Sequence, residues 1–143
     1  MTLKMYKSGC AASAAQRLMV TAELHAMTRR LGDFFETYDI LLTPVLAEET
    51  PKLGSAFTLM HEELSLDDWF ENALALMPYT ALNNMTGTPA ISLPLGKDPN
   101  GLPLGAHFMA PIGREDRLFN LAGQLERVAP WVDQRPSVHV ASK

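Results

Sequence analysis

Apolar residues recur at spacings of three and four between about Ala11 and Thr37, where Val20, Leu24, Met27, Leu31, Phe34 and Phe35 form one stripe. Arg17, Glu23, Arg29, Arg30 and Asp33 lie mostly off it. This period predicts a long amphipathic helix that turns one face to a core. The pattern then changes. Ile40-Leu41-Leu42 does not alternate, which predicts a short strand covered on both faces, as in an α/β sheet, and Pro44 ends it because proline cannot donate to a sheet ladder. Val45–Leu64 has no sustained period and reads as a long loop, a kind of segment that commonly carries function or contacts another part of a protein.

A second helical pattern starts at Ser65, with Asp68 at capping-box distance and Leu66, Trp69, Phe70, Ala73 and Leu74 expected inward. Pro78 breaks it. A short helix is predicted from Tyr79 to Thr86, with Gly87 at the left-handed position that closes helices. Ala90–Leu95 and Leu104–Ala110 read as an antiparallel pair of strands, with Pro89 and Pro94 marking strand boundaries. Between them, Asp98-Pro99-Asn100-Gly101 is turn chemistry: Pro99 presets φ and Gly101 accepts the left-handed conformation. A last helix is predicted from about Arg114 to Ala129, with Glu115 and Asp116 at its positive end, Leu118, Leu121, Ala122, Leu125 and Val128 inward, and Pro130 stopping it.

The order helix, strand, helix, helix, strand, strand, helix is a layered α/β arrangement. Its strand at Ile40–Thr43 has no parallel neighbour in the chain, and unpaired edges associate. The pattern is that of part of a larger sheet.

Composition narrows the partners. The 143 residues make one domain, with an ordinary 47% hydrophobic and 20% charged content. A net charge of −4 argues against nucleic acid and against anionic membrane surfaces, both of which call for a basic face. The longest uncharged stretch, Asn72 to Gly96, contains Pro78, Pro89, Pro94, Gly87 and Asn72, Asn83 and Asn84, so it is not a bilayer-spanning helix. Ser8-Gly9-Cys10 faintly resembles a lipoprotein cleavage site, but Lys4 and Lys7 stand where an apolar run is required. A single cysteine, Cys10, leaves no internal disulfide framework and fits a cytoplasmic protein.

The residues by themselves offer no convincing active site. No two glycines are closer than Gly101 and Gly105, which excludes a dinucleotide-binding loop and any Gly/Ser-rich oxyanion loop. Gly96-Lys97 lacks the remainder of a phosphate-binding loop, and there is no nucleophile elbow of the G-x-S-x-G type. His25, His61, His107 and His139 have no metal-ligand spacing and read as packing or hydrogen-bonding residues, so no metal or other cofactor is expected. Glu48-Glu49, Glu62-Glu63 and Asp67-Asp68 are adjacent pairs whose carboxylates do not face each other, which suits solvated or capping roles. Cys10 with a distant histidine could form a thiol nucleophile pair, although it reads more simply as a small buried residue in an Ala-rich helix start.

From Asp39-Ile40-Leu41-Leu42-Thr43-Pro44 the chain resembles the amidase signature family. The likeness sharpens at Tyr79-Thr80-Ala81-Leu82-Asn83-Asn84-Met85-Thr86-Gly87-Thr88-Pro89-Ala90-Ile91-Ser92-Leu93-Pro94-Leu95-Gly96. It continues through Gly101-Leu102-Pro103-Leu104-Gly105, Leu121-Ala122-Gly123-Gln124-Leu125-Glu126 and Pro130-Trp131. Within the family, the run from His25 to Phe35 and the ending Trp131…Arg135-Pro136 are similar to 6-aminohexanoate cyclic dimer hydrolases.

The resemblance implies a partial amidase-signature α/β fold, a mixed sheet with helices packed on both faces. It also implies hydrolysis of linear or cyclic carboxamide C–N bonds through a serine activated by a second serine and a lysine, with backbone amides of a Gly/Ser-rich loop binding the oxyanion. Those parts lie upstream of the matched region in the family. Serines such as Ser8, Ser55 and Ser92 and lysines such as Lys52 and Lys97 are not in the catalytic contexts. Residues 1–143 are therefore expected to be the C-terminal part of an amidase domain without its catalytic core, inactive alone. The expected partner is the missing N-terminal portion or a second copy, with an amide substrate bound only in the complete enzyme.

Gly87, Pro89, Pro94 and Asn84 have structural explanations, Asn84 as a hydrogen-bonding group for loop backbone. The resemblance also makes Met77, Pro78, Asn84 and Met85 candidates for the acyl-pocket wall, with apolar Met77 suited to an aliphatic amide. Two other readings are a non-catalytic oligomerisation or partner-binding module, dimeric through the Ile40–Thr43 strand, and an independent hydrolase using Cys10.

Overall fold

The computed structural model describes residues 1–54, 63–136 and 138–140. The helix expected from about Ala11 to Thr37 is α2 (Ala14–Thr37), and a separate helix that the pattern did not predict, α1 (Thr2–Ala11), precedes it. The break is written in Ser13-Ala14-Ala15-Gln16: the Ser13 backbone N–H donates to Gln16 Oε1 at 2.8 Å, and the Gln16 N–H donates to Ser13 Oγ at 3.2 Å. This reciprocal capping box starts α2 three residues later than the apolar period implied. Along α2, Leu24, Met27, Leu31, Phe34 and Phe35 are half-buried, whereas Val20 is exposed, so only the second half of the stripe meets the rest of the molecule.

Three strands follow: β1 (Leu41–Pro44), β2 (Ala90–Lys97) and β3 (Pro103–Met109), in the order β1-β3-β2. The expected hairpin is present, and every pairing in this sheet is antiparallel. The expectation of a lone strand is corrected: β1 lies along β3, Leu41 opposite Met109 and Thr43 opposite His107. Its neighbour comes from far along the chain, a long-range pairing that the local pattern does not encode. Leu42 remains 60% exposed, so β1 alternates instead of being covered on both faces.

Strand β2 also runs through Pro94 instead of stopping there. A register shift between Leu93 and Gly96 accommodates the residue that cannot donate to the ladder. In the connecting turn, Asp98 Oδ1 accepts the N–H groups of Asn100 and Leu102, both at 2.8 Å, and Gly101 takes φ +84°.

Residues opposite one another in this ladder share a face. Phe108, Ala106, Ile91 and Leu93 face α5 (Glu115–Val128), where Phe108, Leu93, Ala110 and Leu118 form the buried cluster. Leu121, Ala122, Leu125 and Trp131 pack around it, but Val128, the last residue of α5, is 84% exposed. Arg117 ties α5 to the segment before β1 through Asp39, at 2.5 Å. His107 and Thr43 lie on the opposite side of the ladder, which carries α4 (Thr80–Thr86), itself in contact with α2. Helices thus flank both faces.

Helix α3 (Leu66–Leu76) starts at Ser65, whose hydroxyl accepts the Asp68 N–H at 3.1 Å. Its buried residue is Leu76; Phe70 and Leu74, expected inward, are exposed because no second layer of the described chain covers them.

Candidate functional site

The region carrying the strongest motif is built around the α4–β2 junction. Gly87 closes α4 at φ +75°, where a side chain would be strained, and its N–H donates to the Asn83 carbonyl at 2.8 Å. The chain then doubles back through two buried threonines. Thr86 Oγ1 donates to Leu82 O at 2.8 Å and lies 2.9 Å from Thr88 Oγ1. Asn83 Nδ2 donates to both Thr88 O and Thr88 Oγ1, at 3.1 and 3.0 Å. The loop-binding asparagine is therefore Asn83, whereas Asn84, expected in that role, is exposed. Two adjacent asparagines on a helix point 100° apart, and sequence alone gave no means of choosing between them. Because the Thr88 carbonyl can only accept, the amide orientation is fixed, and Asn83 Oδ1 is left buried without a partner among the described residues.

Three strands contribute one cross-sheet row, Thr43–His107–Ser92. Thr43 Oγ1 and His107 Nδ1 are 3.0 Å apart. The imidazole is buried, and burial pushes its pKa below the ordinary 6.5 because the charged form loses its hydration. Gly105 brings the β1 extension close: a Cβ there would stand 2.6 Å from Val45 Cγ2 and 2.9 Å from Ser92 Oγ. A side chain at this position would have to displace the Val45 and Ser92 side chains.

Above this row is an open depression of about 390 Å³, lined by Thr80, Asn83, Asn84, Thr88, Ala90, Ile91, Ser92 and His107. Its lining offers hydroxyls, amides and a neutral imidazole, with no lysine and no carboxylate. Such a surface can orient a polar group by hydrogen bonds. The described bond of His107 runs from Nδ1 to Thr43, on the strand opposite Ser92. A larger depression, about 620 Å³, lies between the segment after β1 and the β2–β3 turn. Glu48, Glu49 and Asp98 line it, and Ser92 borders both.

Of the four pocket candidates, Asn84 lines the smaller depression. Met77 ends α3 half-buried, Pro78 is exposed just after it, and Met85 is exposed on α4. Thr80, Asn83, Ser92 and His107 are among the lining residues that sequence reasoning did not assign to this wall. Their signal lay in the two-residue period placing Ser92 and His107 in one cross-strand row, which only the register reveals.

Of the other candidates, Cys10 is exposed near the end of α1, not buried. Ser8 is on α1, Lys52 follows β1 and Lys97 ends β2. Ser55, His61 and Glu62 lie outside the described residues. No group of three or more His, Cys, Asp or Glu among the described residues is placed to hold a metal ion. No helix among them is long and apolar enough to cross a membrane.

The family model described as Amidase matches residues 3–119, a span that holds α1 through β3 and the whole of this junction. The chain belongs to the amidase family. It is 41% identical over 108 residues to a putative amidase AmiC of Mycobacterium leprae, covering 76% of this chain and 22% of that protein. It is 35% identical over 103 residues to the 6-aminohexanoate-cyclic-dimer hydrolase of Paenarthrobacter ureafaciens, covering 71% and 21%.

A solved 6-aminohexanoate cyclic dimer hydrolase superimposes with a TM-score of 0.81 at 30% identity, covering 94% of this chain and 28% of that structure. The α/β fold described above is thus amidase-like, and the chain spans between a fifth and three tenths of the length of these amidases.

Proposed function

We propose that this chain is the C-terminal portion of an amidase that hydrolyses linear or cyclic carboxamides, and that it supplies scaffold and pocket wall while other residues of the enzyme carry the chemistry. The observation that carries this reading is the coverage: an amidase match over residues 3–119 that accounts for only about a fifth of the matched amidases. In the complete family enzyme a serine attacks the amide carbonyl, a second serine and a lysine relay its proton to the leaving nitrogen, and backbone amides hold the oxyanion. None of those groups is assigned to this chain.

Its own contribution is steric and orienting. In this reading Met77 and Pro78, at the α3–α4 junction, and Met85, in the last turn of α4, meet an aliphatic acyl chain, and Asn84 offers a hydrogen-bonding group. The residues need no metal or organic cofactor for this role.

The purified chain, incubated with 6-aminohexanoate cyclic dimer and with a simple aliphatic amide, is expected to release no amine. Joined to the upstream part of the Paenarthrobacter hydrolase, it is expected to restore turnover. Hydrolysis by the chain alone, persisting through successive purification steps and lost on heat denaturation, would refute the reading.

A further inference from the structure

Helices need packing partners. An isolated helix of ten residues is marginal in water, and most helical stability in proteins comes from burying an apolar face. In α1 and α2 no residue is buried, and every residue from 6 to 23 is exposed. The exposed set includes Tyr6, Leu18, Met19 and Val20, with Leu18 71% accessible. The elbow between the helices forms an open groove of about 490 Å³ lined by small residues, among them Gly9, Ala12 and Ala14, together with Val20 and the polar Gln16 and Arg17. A cleft lined by small residues admits a side chain from outside.

The whole surface is larger than that of a compact monomer of this mass. It measures 10611 Å², whereas a compact monomer of 15.7 kDa exposes about 7,300 Å². Allowing the residues outside the described set the roughly 160 Å² per residue of a fully unfolded chain still leaves an excess of about 1,400 Å². That exceeds the roughly 800 Å² which one partner contributes to a standard interface. Charge is also uneven. Residues 1–30 hold Lys4, Lys7, Arg17, Arg29 and Arg30 against Glu23 alone, in a chain of net charge −4.

We propose that the exposed surface of α1 and the first half of α2 is the docking surface for the upstream catalytic part of an amidase, whose opposing surface is apolar with an acidic rim. This rests on the reading of the chain as a C-terminal amidase portion. The occupant follows from what is outside the chain: 108 aligned residues are 22% of one matched amidase, which therefore carries roughly two and a half times as much additional polypeptide as this chain. The apolar centre supplies burial, and the basic rim sets orientation and on-rate.

The test mixes the chain with the upstream portion of the Paenarthrobacter hydrolase, ending where its match to this chain begins. Binding is measured by sedimentation and titration across salt concentrations. A one-to-one complex is expected that weakens with salt. Leu18→Asp with Val20→Asp should reduce affinity about tenfold or more, while the isolated variant keeps the circular dichroism of the parent.

In the covalent fusion of the two portions, the same pair should lower Tm; this readout serves even if the upstream part does not fold alone. Binding and fusion Tm that are indifferent to both substitutions would overturn the docking surface and leave the fragment reading standing. A homodimer of the chain, dissolved by the same substitutions, would assign the face to a second copy instead. Absence of binding together with an inactive fusion that does not melt cooperatively would overturn both.

Discussion

The α4–β2–β3–α5 half and the α1–α2 half obey different rules. In the first, Leu93, Phe108, Met109, Ala110 and Leu118 are shielded from water, and buried polar groups are largely paired, Thr86 with Thr88 and Asp98 with its own turn. In the second, a capping box sets the start of a 24-residue helix, yet no residue of that helix is buried. Both halves are locally well specified. What separates them is burial, which one half obtains from its own chain and the other does not. Local sequence signals therefore establish that an element forms, while burial establishes whether it belongs to a finished unit.

The largest contrast is in the core. Phe108→Ala should cost about 3–5 kcal/mol, since it removes a ring from the centre of the cluster, whereas Leu18→Ala should lie within about 0.5 kcal/mol because it removes contacts with water. Urea denaturation of both variants tests this, and equal losses would erase the distinction.

Gly105→Ala ranks next. Its new methyl would press on Val45 Cγ2 at 2.6 Å, and such overpacking costs about 1–3 kcal/mol. The loss should appear in thermal melts and as faster amide exchange at Val45, whose N–H bonds Gly105 O at 3.2 Å.

The smallest effect is the pH response of His107. Its folded pKa lies below 6.5 while the unfolded chain titrates near 6.5, so between those values the unfolded state binds more protons. Stability should fall as pH drops from 7 through 6.5 towards the folded pKa and level off below it. His107→Gln should flatten that part of the profile. An unchanged slope in the variant would show that the ring is not the group responsible.

Much of the finished half was legible in advance. Asp98-Pro99-Asn100-Gly101 announced its turn because proline and glycine each restrict φ in a known way, and the structure adds only that the Asp98 carboxylate binds the loop from inside. The stripe of α5 was legible as far as Leu125, because a helical period reports which face is apolar. It did not report that Val128, at the end of the helix, is left exposed. The elbow at Ser13 was written as S-x-x-Q but overshadowed by the longer apolar period. The candidate wall was legible only at Asn84. Thr80, Asn83, Ser92 and His107 come together through a strand register and a helix rotation that no short window contains.

The sequence by itself determined the elements from α2 onward, the β2–β3 turn, the caps at Ser65 and Gly87, and the likeness to amidases, because each depends on residues within a few positions of one another or on motifs kept in order. Tertiary structure decided that β1 lies against β3, that β2 continues through Pro94, that His107 is held neutral beside Thr43, and that α1 and the start of α2 face outward. Those outcomes depend on which distant segment arrives to exclude water, and burial is a property of the assembled surface rather than of any residue's neighbours in the chain.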